Sequence, residues 1–577
     1  MQSSDKNLPE PSDKNEPEQS RRSFLKGVSA LSMMAFAAQS AAGDFLPSFP
    51  SPKAQQGARK PAFADGKKFV AIQIGARSFV DEGVDRCLDT LQEKGGVNVL
   101  MPTVFTYGRG LAGRQIPGQP LPDHGVQEYD EIHGGSYTKL HSEYYANSVI
   151  KDFRAPELGE FDIFSDVIPK AKAKGMQVYC LFEEAYNPRL MPNFEKIAEV
   201  DVYGRTSRNT CLNNPDARIF LTSMVKDWMS TNDLDGLMWE SERQGPLNDT
   251  LEAHFGTIGG RRSINCFCVH CTRKGKDLGI NVERAREGYM ALDRWVGQTL
   301  SEQQGLADGS FVTLWRLLLE YPEILAWEKL WFHSQEEVYG LIYGTVKEAN
   351  PKAQAGWHIM HLVTMSPFYR AEQDYARLAQ YADYIKPSPY NNCGGPRFAR
   401  YIRNVQSTVF RDCTPEEVLE LHYKLLGYEG EASLDKLPTA GLSANYVARE
   451  TSRALRDVQG AVPIYPGIDI DVPTGLQEKR TQPDDVKAAV TAALKAGAQG
   501  VVLSRKYAEM KLTNLAGAGS PGHLVGLGLL PLLGQGVDLP ADGGGELPHG
   551  ARVLLDRPAG RLEGVEQFPG LVRLLVL

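Results

Sequence analysis

A (β/α)8 barrel with long loop insertions is the fold class this sequence predicts, and three observations carry it. Eight short apolar runs lack the polar/apolar alternation of half-exposed strands, as strands covered on both faces should. Most of these runs are separated by segments with helical spacing, the order of a parallel barrel. The turn after the first run, "IGARSFVDEG", holds no Gly-rich phosphate loop, which an open doubly wound sheet would place there.

The first run spans residues 68–79, and the helix after it repeats Val84, Cys87, Leu88 and Leu91 on one face before a Gly stop. Residues 97–105 form the second strand. "FDIFSDVIPKAKAKG" reads as a helix despite Pro169, and residues 176–186 as the third strand. "DARIFLTSMVKDWMSTND", with Asp216 in its first turn, is an amphipathic helix that delivers the chain into the fourth strand, "DGLMWESER". Strands five to seven lie within 352–361, 382–390 and 462–470. The last helix opens on Pro483 with two aspartates in its first turn and leads to the eighth strand, "QGVVLSRKY".

The barrel is expected over 68–515, after a twin-arginine signal peptide at 1–43 and a Pro/Ser/Gln-rich linker at 44–67. The signal is read from "SRRSFLKG", with Arg21 and Arg22 as the pair, followed by the apolar stretch 28–38, too short for the roughly 20 residues that span a bilayer. The expectation is export through the twin-arginine translocase to the periplasm or beyond, with no stable membrane span in the mature protein. From Thr513 onward the chain holds no lysine and turns Gly, Leu and Pro-rich. The segment 516–577 therefore reads either as an altered reading frame without an evolved fold, the reading that the abrupt shift favours, or as a small appended β-rich piece. The chain has 577 residues, 42% hydrophobic and 23% charged, with a net charge of −8. That composition gives a large core and no electrostatic footprint for nucleic acid.

Barrel chemistry belongs at the carboxyl ends of the strands. Read there, the sequence offers Arg77, then Tyr107, then Glu183 and Glu184, then Trp239, Glu240, Glu242 and Arg243. Beyond them come His358 with His361, Lys386 with Tyr390, Asp469 with Asp471, and Ser504 to Lys506. Carboxylates, aromatics, His and Arg at one mouth suit glycoside hydrolysis, in which one carboxylic acid protonates the leaving oxygen and a second acts as nucleophile or base. Glu240 is the first candidate for catalysis. Asp469 and Asp471, two apart and so on one strand face, are candidates for the second carboxylate, as is Glu184, since only one of the pair Glu183 and Glu184 can face the mouth. Arg77, Tyr107, Trp239, Glu242, Arg243, His358, Lys386 and Tyr390 are candidate substrate contacts. Carbohydrate is the expected partner and no organic cofactor is expected. A metal-dependent sugar isomerase, epimerase or lyase using Glu184, Glu240, His358 and Asp469 is the alternative, with a non-catalytic sugar-binding barrel as the third reading. Sugar, linkage and oligomeric state are left open.

"CFCVHC" brings Cys266, Cys268 and Cys271 together, and Cys211 in "NTCLNNPD" supplies a fourth soft ligand for a closed, structural zinc site. Disulfides or buried free thiols stay open beside zinc. Cys87 and Cys180 fall in apolar runs and read as core.

The patterns "CLNNPDAR", "DGLMWESERQGP" and "CFCVHCTRKGKDLGINVERAREGY" resemble those of bacterial glycosyl-hydrolase-like barrel proteins, over about 68–515. The resemblance extends distantly to the clan of retaining glycosidases that place an acid/base glutamate after strand four and a nucleophile glutamate after strand seven. It implies the acid/base role for Glu240. Trp239 stands where that clan has Asn, and strand seven offers Asp469 and Asp471 in place of Glu. The trimeric β-galactosidases of the clan hold a structural zinc with cysteines in comparable loops, so the resemblance also implies zinc at Cys211, Cys266, Cys268 and Cys271.

Overall fold

A computed structural model of the chain describes residues 63, 67–107, 122–128, 134–184, 191–301 and 308–519. The twin-arginine segment, nearly all of the linker and the segment beyond Gly519 lie outside these residues, as do Tyr186 and the side chain of Tyr107.

Eight parallel strands form the barrel: β1 (Phe69–Gly75), β2 (Val99–Tyr107), β3 (Gln177–Glu183), β4 (Gly236–Glu240), β5 (Gln354–His358), β6 (Tyr384–Lys386), β7 (Gly467–Asp469) and β8 (Gly500–Ser504). Ladders run in the order β7-β8-β1-β2-β3-β4-β5-β6. The seam from β6 to the residues at β7 is bridged by Ile385 N to Pro463 O at 3.1 Å, Tyr465 N to Ile385 O at 3.0 Å and Gly467 N to Pro387 O at 2.8 Å. The order and the closure are those of the expected (β/α)8 barrel.

The helices interleave as α1 (Val84–Gly95), α2 (Ile163–Ala173), α3 (Pro215–Thr231), α4 (Glu323–Ala349), α5 (Gly394–Ser407), α6 (Ala444–Val458), α7 (Pro483–Lys495) and α8 (Leu512–Ala518). Their starts are set locally. Asn214 accepts from Asp216 N at 2.9 Å with Pro215 at the first helical position, and Gln482 and Asp485 cap α7 reciprocally around Pro483. Two insertions shape the mouth: a hairpin of Ala198–Val200 with Thr206–Thr210 after β3, and four helices between β4 and α4, at Pro246–Thr250, Val269–Asp277, Val282–Leu300 and Ser310–Glu320. Among the described residues no helix is long and apolar enough to cross a membrane.

Side chains alternate along each strand, so parity sorts inside from outside. Phe69, Ala71, Val99, Met101, Tyr179, Leu181, Met238, Tyr384, Tyr465 and Val502 pack as one cluster, the barrel interior. At its amino-terminal end Phe69 stacks on Tyr465 at 3.9 Å and meets Tyr179 edge-on at 5.6 Å, a plug of rings. Gly356 is required there: a Cβ would sit 2.2 Å from the Tyr384 ring. The opposite parity, with Trp239 and Trp357 fully buried, packs the strands against the helices, where Phe182 meets Trp228 of α3.

Candidate active site

Carrying the interior parity one step further reaches the mouth. Glu183, Glu240, His358 and Lys386 are in register across β3, β4, β5 and β6, so the four side chains form one inward row above the apolar interior. Gln73, two beyond Ala71 on β1, joins them through Nε2, which donates to Glu240 Oε1 at 2.6 Å.

The hydrogen bonds orient this row. Charged Lys386 has only donors, and it gives them to His358 Nδ1 at 2.7 Å, Tyr390 OH at 2.8 Å and Gln73 Oε1 at 3.4 Å. His358 Nδ1 is therefore an acceptor and its proton rests on Nε2, which donates to Glu242 Oε1 at 3.0 Å. Glu240 Oε1 lies 3.3 Å from His358 Nδ1, so the two carboxylates address opposite nitrogens of one ring. Burial pushes the Lys386 ammonium down to about 8, against the pull of Glu240 and Glu242. Glu242 reaches the rim, its side chain 55% exposed. Its buried side would raise the carboxyl, but the hydrogen bond from His358, then the charges of Arg397 and Arg505, hold it below the usual carboxylate range, moderated by solvent on the open side. Beside it a cavity of about 360 Å³ is lined by Arg243, Asp249, His254, Phe255, Trp331 and Met360, among others.

The alternate residues of the same strand end turn outward. Ser241 Oγ donates to Glu184 Oε2 at 2.7 Å and accepts from Gln335 of α4 at 2.9 Å. Arg243 pairs with Glu184, with Glu199 Oε2 at 2.9 Å, and donates to Thr210 O at 3.1 Å. Burial raises Glu199 to about 7 even against Arg243. Glu184 is thus an ion-pair partner in the strand-helix layer, and the expectation that it rather than Glu183 faces the mouth is corrected: Tyr179, Leu181 and Glu183 share the inward face.

Other candidates also have different surroundings. Asp469 is fully buried and accepts from the backbone N–H of Asn391 at 3.0 Å and Cys393 at 2.8 Å, at the start of α5. β7 ends at Asp469 and Asp471 has φ +52°, so the two do not share a face as expected, and Asp471 instead accepts from Lys511 N at 2.8 Å and from Asn514. Glu184, Glu240, His358 and Asp469, the set expected for the metal-dependent alternative, are not brought together as one ligand cluster. Trp239 is core, between Phe182, Tyr339 and Trp357, and not a sugar platform. Arg77 lies on the short helix after β1, 3.6 Å from Asp81. Sequence reading missed Gln73 and Glu199. Gln73 was accessible by counting two from each inward residue of β1; Glu199 sits in a loop hairpin that strand periodicity does not reach.

The cysteines meet as expected. Cys211, Cys266, Cys268 and Cys271 are buried, and their sulfurs all lie within 4.8 Å of one another. Cys211 Sγ is 3.4 Å from Cys268 Sγ and 3.6 Å from Cys271 Sγ, beyond a disulfide of about 2.05 Å and near the ~3.8 Å between ligands about 2.3 Å from a tetrahedral zinc. Asn213 Nδ2 donates to Cys271 Sγ at 3.3 Å, and its Oδ1 is held by Lys274 Nζ at 2.9 Å, an outer brace for one ligand. The donor set fits zinc.

No protein-family model and no curated protein matches the sequence. Among solved structures the chain has distant similarity to glycoside hydrolase barrels. It shares 14% identity and a TM-score of 0.46 with a β-galactosidase from Halorubrum lacusprofundi, over 80% of this chain and 58% of that one. A GH42 β-galactosidase from G. stearothermophilus gives 10% and 0.46, over 82% and 58%. The glycoside hydrolase domain of PgaB (BpsB) from Bordetella bronchiseptica gives 10% and 0.40, over 76% and 94%. The chain spans little more than half the length of the two β-galactosidases, and no residue role passes from any of the three to this chain.

Proposed function

We propose that the barrel is a glycoside hydrolase that cleaves its substrate at the mouth with Glu240 and Glu242. The supporting observation is that the two carboxylates address opposite nitrogens of His358 beside a cavity with charged and aromatic walls. Glu240, inside the row and bonded by Gln73, serves as the proton donor to the leaving oxygen. Glu242, held as an anion, stabilises the positive charge that develops on the sugar or activates its attacker. Lys386 is a positioning residue: its donation to Nδ1 keeps the His358 proton on Nε2, aimed at Glu242. Cys211, Cys266, Cys268 and Cys271 hold a structural zinc that fixes the loop behind Arg243 without entering the reaction. The protein reaches the periplasm or the exterior by twin-arginine export.

Reducing-sugar release from a panel of glycans by the full-length chain tests the reading. Glu240→Gln is expected to lower turnover about 10³-fold while the fold is kept. Absence of cleavage of any glycan, or cleavage by Glu240→Gln at the wild-type rate, overturns it.

A further inference from the structure

Lys386 is spent on His358, Tyr390 and Gln73, and one further cation near the mouth pairs with no carboxylate among the described residues. Arg243 is met by Glu184 and Glu199, and Arg505 by Glu509, which accepts from Arg505 Nε at 3.1 Å. Arg397, in the first turn of α5, pairs with no carboxylate among the described residues. Its Nη1 donates to His361 Nδ1 at 3.1 Å, and the other ring nitrogen of His361 meets Tyr446 OH at 3.1 Å. The guanidinium lies over the Phe255 ring, 5.0 Å from its centre.

These contacts set Arg397 beside the cavity, against Phe255 of its lining. Arg397 and Asn404 are seven apart and share a face of α5. Asn404 Nδ2 donates to His254 O at 2.6 Å and Gly256 O at 2.9 Å, so that face lies against the loop carrying His254 and Phe255, which line the cavity with Glu242. Burial and the Arg397 charge hold His361 well below its usual range, so it takes the hydrogen bond and offers Arg397 no counter-charge. The carboxylates whose charges reach Arg397 are committed elsewhere, Glu242 to His358 and Asp469 to backbone amides. A planar guanidinium matches a carboxylate in two parallel hydrogen bonds.

Resting on the glycoside hydrolase reading, we infer that the substrate is an acidic glycan whose uronate carboxylate is bound by Arg397 at the Phe255 side of the cavity. Glu242 repels that carboxylate from the reacting side, so the two charges together orient the sugar.

Calorimetric titration of full-length Glu240→Gln with matched pairs of oligosaccharides, uronate and neutral at the same linkage, tests the inference. In at least one pair the uronate is expected to bind about 10-fold or more tighter, a preference that shrinks with added salt. Adding Arg397→Gln should bring the members of that pair within about threefold, whereas Arg397→Lys, which keeps the charge and guards against misreading a folding defect, should retain part of the preference. Equal affinities in every pair, no binding of any uronate, or an equal loss for both members in Arg397→Gln overturns the inference. Turnover of neutral glycans without uronate preference would leave the hydrolase reading standing and remove this one. Arg397-dependent uronate binding with no glycan cut would do the reverse.

Discussion

The five residues "WESER" supply two polar clusters of opposite character. Glu240 and Glu242 go inward to His358, Lys386 and the cavity, and Ser241 and Arg243 go outward to Glu184, Glu199 and the loop of Cys211. The inward cluster keeps a carboxylate at solvent and a lysine burdened by burial, an arrangement that is poor for stability and suited to reaction. The outward cluster is braced by its ion pairs, with Arg243 and Glu199 also edging the cavity. Composition alone would have pooled these charges. The alternation of one strand end separates the group that reacts from the group that supports.

Four experiments press on that division. Cys211→Ser or chelation should remove one bound zinc per chain, read by atomic emission. It should cost on the order of 5 kcal/mol or more of stability, because the site's binding energy is folding energy. Arg243→Ala should cost about 3–5 kcal/mol in denaturant unfolding, since it strands two buried glutamates. If it costs less than about 1 kcal/mol, the outward cluster is not a brace. Glu240→Gln and Glu242→Gln should instead spare the melting temperature and lose turnover, with Glu242→Gln within about 0.5 kcal/mol of wild type in stability because its side chain is exposed.

The smallest effects are in pH dependence, and they carry opposite signs. Folded Glu199 keeps its proton up to about 7, whereas the unfolded chain loses it near 4.5, so stability falls as the pH rises between those values. Folded Lys386 loses its proton near 8, before the unfolded chain does near 10.5, so stability rises with pH across that window. Glu199→Gln should flatten the lower slope and Lys386→Met the upper one in unfolding curves measured across pH. Unchanged slopes would mean that water reaches both groups.

Much of this was legible in the sequence. All eight strands lie within or overlap the expected apolar runs, because a parallel strand buried on both faces leaves an apolar run whatever its neighbours are. The cysteine cluster was legible from C-x-C-x2-C with Cys211, a spacing few other arrangements need. What failed was the facing of strand-end residues. Choosing Glu184 over Glu183, and placing Asp469 with Asp471, needed to know where each strand stops and which parity faces in. β7 stops after three residues, and the left-handed backbone of Asp471 breaks the alternation the sequence suggested. Trp239 looked like a sugar platform only until its parity assigned it to the layer beneath the helices. Arg397 carries no local motif; its place beside the cavity depends on α5, the loop at Phe255 and His361 meeting in space.

The alternation within "WESER" also makes this site unusually sensitive to length. One residue inserted between Trp239 and Glu240 would turn both glutamates toward the helices and send Arg243 toward the lysine, exchanging reactant and brace at a stroke without altering composition. Shuffled or spliced versions of this barrel must therefore leave the count from Gly236 to Arg243 intact.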